Sequence, residues 1–161
     1  MTSTFRQSRA SLLSICAWLF VISVVVNYVW EVGQGFLFEG MSSWESIWWH
    51  CFVASLGDGI ILWIIYAVGW AIFKRADWFV DPGKGGYRAM LLTGLILAAV
   101  IEWGAVHVLQ RWSYTNAMPL IPGLDIGITP IMQMLVLPPI IFYIVALRFK
   151  RIGIKSRSSS S

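Results

Sequence analysis

The sequence predicts an all-α, polytopic membrane protein, a bundle of four transmembrane helices with both ends of the chain on the same side. Three observations support this fold class. Of the 161 residues, 58% are hydrophobic and only 12% are charged, whereas a soluble domain carries about a quarter charged residues. Four apolar stretches are long enough to cross a bilayer, which takes about 20 residues each. Nearly all basic residues lie at one end of these stretches.

The four apolar stretches follow one another without an intervening soluble segment. They lie at about residues 12–30, 47–73, 89–109 and 126–147. The first is too long for the core of a signal peptide and no small-residue cleavage site follows it, so we interpret it as an uncleaved helix. Residues 1–150 are therefore predicted to form a single transmembrane domain. The basic, Ser-rich residues 151–161 are predicted to form a disordered cytoplasmic tail.

The positions of the basic residues predict the orientation. Two Lys or Arg residues precede the first stretch, four lie between the second and third, and five follow the fourth. Eleven of the twelve therefore fall on one side, and Arg111 is the exception. Because cytoplasmic loops are enriched in Lys and Arg, both termini are predicted to be cytoplasmic. The connections at residues 35–46 and 110–126 should then face outward. The net charge of +4 does not indicate a nucleic-acid partner, because the basic residues flank apolar stretches.

Residues at the ends of the stretches refine this prediction. Ser42 and Glu45 form a capping-box pattern that should start the second helix. Three prolines exclude a continuous helix in the second outer connection, which we expect to fold back over the bundle. Aromatic residues at the ends predict interfacial belts. The predicted outer belt is Trp30, Trp44, Trp48, Trp49 and Trp112, and the inner belt is Trp78, Phe79, Tyr87 and Phe149.

A few polar side chains interrupt the apolar stretches, and their spacing predicts where they point. A charged side chain at the bilayer centre costs about 2.5 to 3.5 kcal/mol, so each one requires an explanation. In every stretch they recur with small residues at steps of four, which places them on one helix face. These faces are Ser23/Asn27/Glu31, His50/Ala54/Asp58, Gly94/Ala98/Glu102 and Thr129/Gln133. The predicted lining of an outward-facing polar pocket is Asn27, Glu31, Gln34, His50, Asp58, Glu102, Arg111 and Gln133.

The same residues also have purely structural interpretations. Amides and neutral acids can join membrane helices by hydrogen bonds, and Arg111 can pair with Glu31 near the interface. Asp58 and Glu102 favour a functional interpretation, because intramembrane acids are functional by default. A metal site built from both these acids with Glu31 and His50 is a weaker variant, since no HxxxH-type spacing is present. No catalytic residue and no cofactor is assigned.

Four motifs occur in a distinctive order: "NYVWEVGQG", "HCFVASLGDGI", "IEW" with "RWSYTNAMP", and "GITPIMQ". In this order the chain resembles a group of uncharacterised bacterial four-helix inner-membrane proteins. The resemblance covers nearly the whole membrane portion. It implies a multi-pass protein of the bacterial inner membrane, and it implies no activity or cofactor.

Three functions follow from the polar pocket. It could bind or translocate a proton, a cation or a small polar solute. Alternatively, the chain is an intramembrane enzyme that acts on a lipid or isoprenoid by acid–base chemistry, because a buried acid can donate a proton and an adjacent indole can stabilise positive charge. In the third interpretation it is an accessory subunit of a membrane complex. The protein is expected to lie in the lipid bilayer. The sequence is compatible with a homo-oligomer and with a membrane-protein partner, and it does not select between them.

Overall fold

The protein is a bundle of four long helices. This computed structural model describes the backbone of residues 2–41 and 43–158 and the side chains of residues 12–41 and 43–150. The helices are α1 (Thr2–Gln34), α2 (Trp44–Phe73), α3 (Gly83–Trp103) and α4 (Ile128–Ser158). All four contain segments long and apolar enough to cross a membrane. The α1–α2 and α3–α4 connections lie at one end, here called the capped end, and the α2–α3 connection lies at the other, here called the base.

Two helix boundaries differ from those that the sequence predicts. α1 begins at Thr2, and α4 continues to Ser158, so the backbone of residues 151–158 is helical where a disordered tail is predicted. The final three residues lie outside the described part of the chain. α2 starts with Ser43 as its cap, whose hydroxyl accepts a hydrogen bond from the Ser46 backbone N–H. Ser42 of the predicted capping box lies outside the described residues.

The base is packed with aromatic side chains, two of which correct the predicted inner belt. Trp78 and Phe79 are 0% and 2% exposed, so both belong to the core and not to a membrane interface. The Trp78 indole donates a hydrogen bond to the Tyr66 carbonyl oxygen over 3.1 Å, and its ring lies against Gly69. The physical reason is that the α2–α3 connection folds beneath the bundle and inserts these rings between the helices, against Phe142.

The capped end is partly covered by residues 109–127, here called the strap. The strap folds back over the bundle, as its prolines predict, and is joined to the end of α1. Tyr114 forms a β-bridge with Phe38, and the Thr115 N–H donates to the Leu37 carbonyl over 2.9 Å. The strap ends in two short antiparallel strands, β1 (Leu120–Ile121) and β2 (Ile126–Gly127). Five residues of π-helix, Gly104–Val108, connect α3 to it.

Close packing of α3 on α4 depends on a glycine and a proline. Pro138 lies inside α4 and has no N–H, so the Met134 carbonyl lacks its usual helical donor. Gly94 of α3 packs directly against that carbonyl: a methyl group at this position would lie 2.5 Å from the Met134 oxygen. The small-residue face predicted on α3 therefore does bring two helices together.

Candidate functional site

The helix faces predicted from four-residue spacing point into the bundle on α1, α3 and α4, whereas on α2 only Asp58 of the predicted face is buried and His50 and Ala54 are exposed. Ser23 and Asn27 of α1 are 0% exposed, and Gln133 of α4 is 2% exposed. Asp58 of α2 and Glu102 of α3 are also buried. The structure therefore gathers polar groups from all four helices in the half of the bundle nearest the capped end.

Gln133 is the centre of the first polar cluster. Its amide nitrogen donates to Asn27 Oδ1 over 2.9 Å and to Asp58 Oδ2 over 3.0 Å. Its amide oxygen accepts a hydrogen bond from Gln34 Nε2 over 3.1 Å. Asn27 in turn donates to the Ser23 hydroxyl over 2.9 Å. One side chain of α4 thus contacts α1 at two positions about two turns apart, Asn27 and Gln34, and α2 at Asp58.

Glu31 lies at the edge of this cluster and does not pair with Arg111. Its Oε1 accepts a hydrogen bond from Gln34 Nε2 over 3.0 Å, and the Gln34 oxygen accepts another from the Trp30 indole over 3.1 Å. The Arg111 side chain is exposed, and no salt bridge joins it to Glu31 within the described part of the chain. The reason is the strap, whose backbone holds Arg111 at the rim by a bond from its N–H to the Ala105 carbonyl over 2.9 Å.

Glu102 is the centre of a second cluster, made with two strap residues. Its Oε1 accepts hydrogen bonds from the Trp112 indole over 3.3 Å and from the Tyr114 hydroxyl. The Tyr114 oxygen also accepts the Gly127 N–H over 2.9 Å. Burial and the bond to Glu102 raise the pKa of the Tyr114 hydroxyl well above its usual range.

Sequence reasoning assigned Trp112 to a belt and gave Tyr114 no role. The one available signal was that a connection folding back over the bundle must bring its polar side chains onto the buried acids. Which polar side chain of the strap contacts a buried acid depends on the conformation of the strap. That conformation is not helical, so helical periodicity cannot predict it.

Both clusters line one cavity of about 1710 Å³. Asp58 uses Oδ2 and Glu102 uses Oε1 for hydrogen bonds. Within the described residues, Asp58 Oδ1 and Glu102 Oε2 accept no hydrogen bond, and neither is a fully buried atom without a partner. Each acid is thus held by one oxygen and offers the other to whatever occupies the cavity.

The remaining predicted residues lie at the rim. His50 lines the cavity but is exposed, and its Nδ1 lies 2.6 Å from the Ser46 carbonyl oxygen. His107 Nε2 lies 2.9 Å from the Leu124 carbonyl of the strap. Across the described side chains, no group of three or more His, Cys, Asp or Glu residues could hold a metal ion. The proposed set of His50, Glu31, Asp58 and Glu102 is therefore not assembled as a metal centre.

The chain was compared with known proteins by sequence and by structure. No protein-family model, no curated protein and no solved structure matches it.

Proposed function

We propose that this chain is a multi-pass protein of the bacterial inner membrane with both termini in the cytoplasm. Its cavity opens outward and binds or translocates a small ligand: a proton, a cation or a small polar solute. Four helices of sufficient length and apolarity support membrane insertion. The eleven basic residues near the base and the termini support the orientation. The resemblance to bacterial inner-membrane proteins supports the location.

The observation that carries the ligand-binding proposal is the pair of free carboxyl oxygens. Asp58 and Glu102 are both buried and line the same cavity, and within the described residues each has one carboxyl oxygen that accepts no hydrogen bond. Gln133 fixes Asp58 from one side, and Tyr114 with Trp112 fixes Glu102 from the other. Pre-organised acceptors of this kind favour a ligand that carries positive charge or N–H donors.

Thermal unfolding in a neutral detergent tests this proposal. Sodium, potassium and methylammonium chloride are titrated at constant ionic strength. We expect at least one cation to raise the Tm in a saturable way, because a ligand that binds only the folded state stabilises it. Asp58→Asn and Glu102→Gln should each abolish the rise. Glu45→Gln is the matched control, because Glu45 is exposed and does not line the cavity. If no cation raises the Tm in a saturable way, or if the rise persists in Asp58→Asn and Glu102→Gln, cation binding at these two acids is contradicted.

The second cluster favours one alternative, an intramembrane acid–base enzyme. The Glu102 carboxyl group is held by the Tyr114 hydroxyl and the Trp112 indole, next to an apolar part of the cavity, and in its protonated form it is the candidate acid. An acid there can protonate an alkene carbon of a lipid or isoprenoid, and a base can remove a proton from a neighbouring carbon. The double bond then shifts with no oxidant or reductant.

Incubation of the purified protein with a bacterial isoprenoid extract in heavy water tests this alternative. Turnover should introduce deuterium into one product, detected by mass spectrometry. Glu102→Gln should abolish the incorporation and Tyr143→Phe, at an exposed tyrosine, should not. Equal incorporation by wild type and Glu102→Gln would exclude this chemistry at Glu102.

A further inference from the structure

The cavity does not end at the acids. On α2 it continues to Ile64, six residues past Asp58 towards the base, which is about 9 Å along the helix axis. On α3 it continues to Ala98, four residues or about 6 Å below Glu102. Among the described residues, the cavity wall below the acids contains only apolar side chains. This apolar recess is formed by Ile60, Ile61, Ile64, Ala98, Ile101 and Met134.

The recess is open and not filled by the protein's own packing. Ile60, Ile64 and Ile101 are 52%, 41% and 43% exposed, although the Asp58 and Glu102 residues above them are buried. These three aliphatic side chains line the same cavity as the two acids, and because they lie on membrane-spanning helices part of their uncovered surface also faces the bilayer. An apolar surface of this kind gains free energy when another apolar group covers it.

The combination of two buried acids with an apolar recess argues against a bare metal ion as the main ligand. A hard cation such as Ca²⁺ needs six to eight oxygen ligands at close range, and no group of acids here is close enough together for that. The cavity of about 1710 Å³ is also far larger than an ion requires. Its layered lining, polar at the rim, acidic in the middle and apolar below, matches a molecule with a polar head and an apolar body.

We propose that the ligand is an amphiphile with a protonated amine head and an unbranched or cyclic hydrocarbon body. The ammonium group lies in the acidic part of the cavity and donates its N–H groups to the carboxyl oxygens left without a protein donor, Asp58 Oδ1 and Glu102 Oε2. The hydrocarbon body fills the apolar recess beside Ile64. This inference rests on the proposed function and specifies its ligand class.

The amine head group of the proposed ligand is inferred from charge and from hydrogen-bond chemistry. The two free oxygens are acceptors, so they select a donor, and the acids select positive charge. Arg111, the one Lys or Arg of the cavity wall among the described residues, is exposed at the rim. An alcohol offers one donor and no charge, and a quaternary ammonium offers charge without a donor. Both should therefore bind more weakly than an amine of the same chain length.

The test measures the affinities of a homologous series of probes for the purified protein in zwitterionic lipid nanodiscs. The probes are methylamine, butylamine, hexylamine and octylamine, with octanol and octyltrimethylammonium as head-group controls. We expect affinity to increase by roughly fourfold per added methylene, since each buried CH₂ contributes about 0.8 kcal/mol. The increase should level off once the chain is as long as the recess.

Two pairs of variants localise the binding. Gly57→Leu adds a side chain that meets nothing within 4 Å and projects into the cavity beside Asp58, so it should abolish binding of every amine. Its control is Gly33→Leu, at a glycine that is equally unobstructed and lies outside the cavity lining. Ile64→Trp fills the recess and should weaken octylamine at least tenfold while leaving methylamine unchanged. Its control is Ile72→Trp, at an exposed position of α2 outside the cavity.

The outcomes separate this inference from the function on which it rests. The amphiphile proposal is supported if affinity increases with the chain length of the amine in the wild type and in Ile72→Trp but not in Ile64→Trp. Equal affinities for methylamine and octylamine, both abolished by Gly57→Leu, would leave the cation site standing and overturn the amphiphile. If octylamine binds equally to the wild type and to every variant, the signal comes from partition into the lipid, and the amphiphile proposal is overturned. If no amine binds at all, this inference is overturned, and the proposed function is then decided by the separate sodium and potassium titrations.

Discussion

At the scale of single residues, the position of the acids depends on the side-chain amide of Gln133. An amide has two donors and an acceptor on one planar group, and here it uses donors towards Asn27 and Asp58 and its acceptor towards Gln34. No other uncharged side chain can serve both roles in this geometry. Gln133 therefore fixes the carboxyl group of Asp58 without introducing a charge.

Replacement of Gln133 by leucine should destabilise the bundle. Gln133→Leu removes three hydrogen bonds between helices, and such bonds average about 0.6 kcal/mol in a membrane protein, so we expect a loss of roughly 2 kcal/mol. Unfolding in mixed micelles measures it. Met132→Leu, at the neighbouring exposed position, is the control and should change stability by less than about 0.5 kcal/mol. Equal effects of the two variants would mean that the network contributes no stability.

The hydroxyl of Tyr114 should make stability depend on alkaline pH. Its pKa is raised by burial and by the bond to Glu102, so the folded state holds this proton more tightly than the unfolded chain does. The resulting stability is complete below pH of about 10, the usual tyrosine pKa, and is lost as pH rises through the raised value.

Unfolding measurements between neutral pH and pH about 11 should therefore show a steeper decline for the wild type than for Tyr114→Phe. Tyr143→Phe, at an exposed tyrosine, should follow the wild type. Parallel curves for wild type and Tyr114→Phe would show that the Tyr114 proton is not held more tightly in the folded state.

At the scale of secondary-structure elements, helix contacts follow the four-residue spacing of small residues. Gly94→Ala should therefore be destabilising, because its methyl group would lie 2.5 Å from the Met134 backbone oxygen, which cannot move without shifting α4. We expect a loss of about 1 to 3 kcal/mol, the usual cost of overpacking. Thermal unfolding in detergent measures it. Gly57→Ala, where a methyl group meets nothing, should be neutral or stabilise by up to about 1 kcal/mol. Equal effects would refute the close approach of α3 to α4.

Periodicity predicted these helices and the inward faces of α1, α3 and α4, because helical geometry alone determines which residues share a face; on α2 the buried face runs through Cys51, Ser55 and Asp58 and leaves His50 and Ala54 exposed. It did not predict that Gln133 meets Asp58, 75 residues away, because the relative shift of two helices along their axes follows from tertiary packing. The pairing of Glu31 with Arg111 was wrong for a similar reason. Sequence distance allowed the contact, but the backbone of the strap directs Arg111 to the rim.

The base shows a second limit of sequence reasoning. Trp78 and Phe79 lie just beyond a long apolar stretch, which is also where interfacial aromatic residues occur. Composition cannot distinguish aromatic residues at a membrane interface from aromatic residues that are packed between the helices at the base. The difference lies in the path of the α2–α3 connection, which turns under the bundle and buries both rings.

At the scale of the whole molecule, the orientation in a membrane is a prediction open to direct test. Fusions of alkaline phosphatase and green fluorescent protein should report both termini and the α2–α3 connection as cytoplasmic. The strap should report the opposite side, because only Arg111 among the basic residues is in it. A cytoplasmic signal from a fusion in the strap would reverse the orientation, and the cavity would then open to the cytoplasm.

The two adjacent prolines of α4 have a consequence for the local opening of the fold. Pro138 and Pro139 remove two successive helical N–H donors midway between Gln133 and Phe142. On one side α4 contacts the polar clusters and an open cavity, and on the other Ile141 and Phe142 are fully enclosed in the base. Local opening of one half therefore need not propagate to the other. Amide protons near Phe142 should exchange with solvent deuterium far more slowly than those near Gln133, although both belong to one helix.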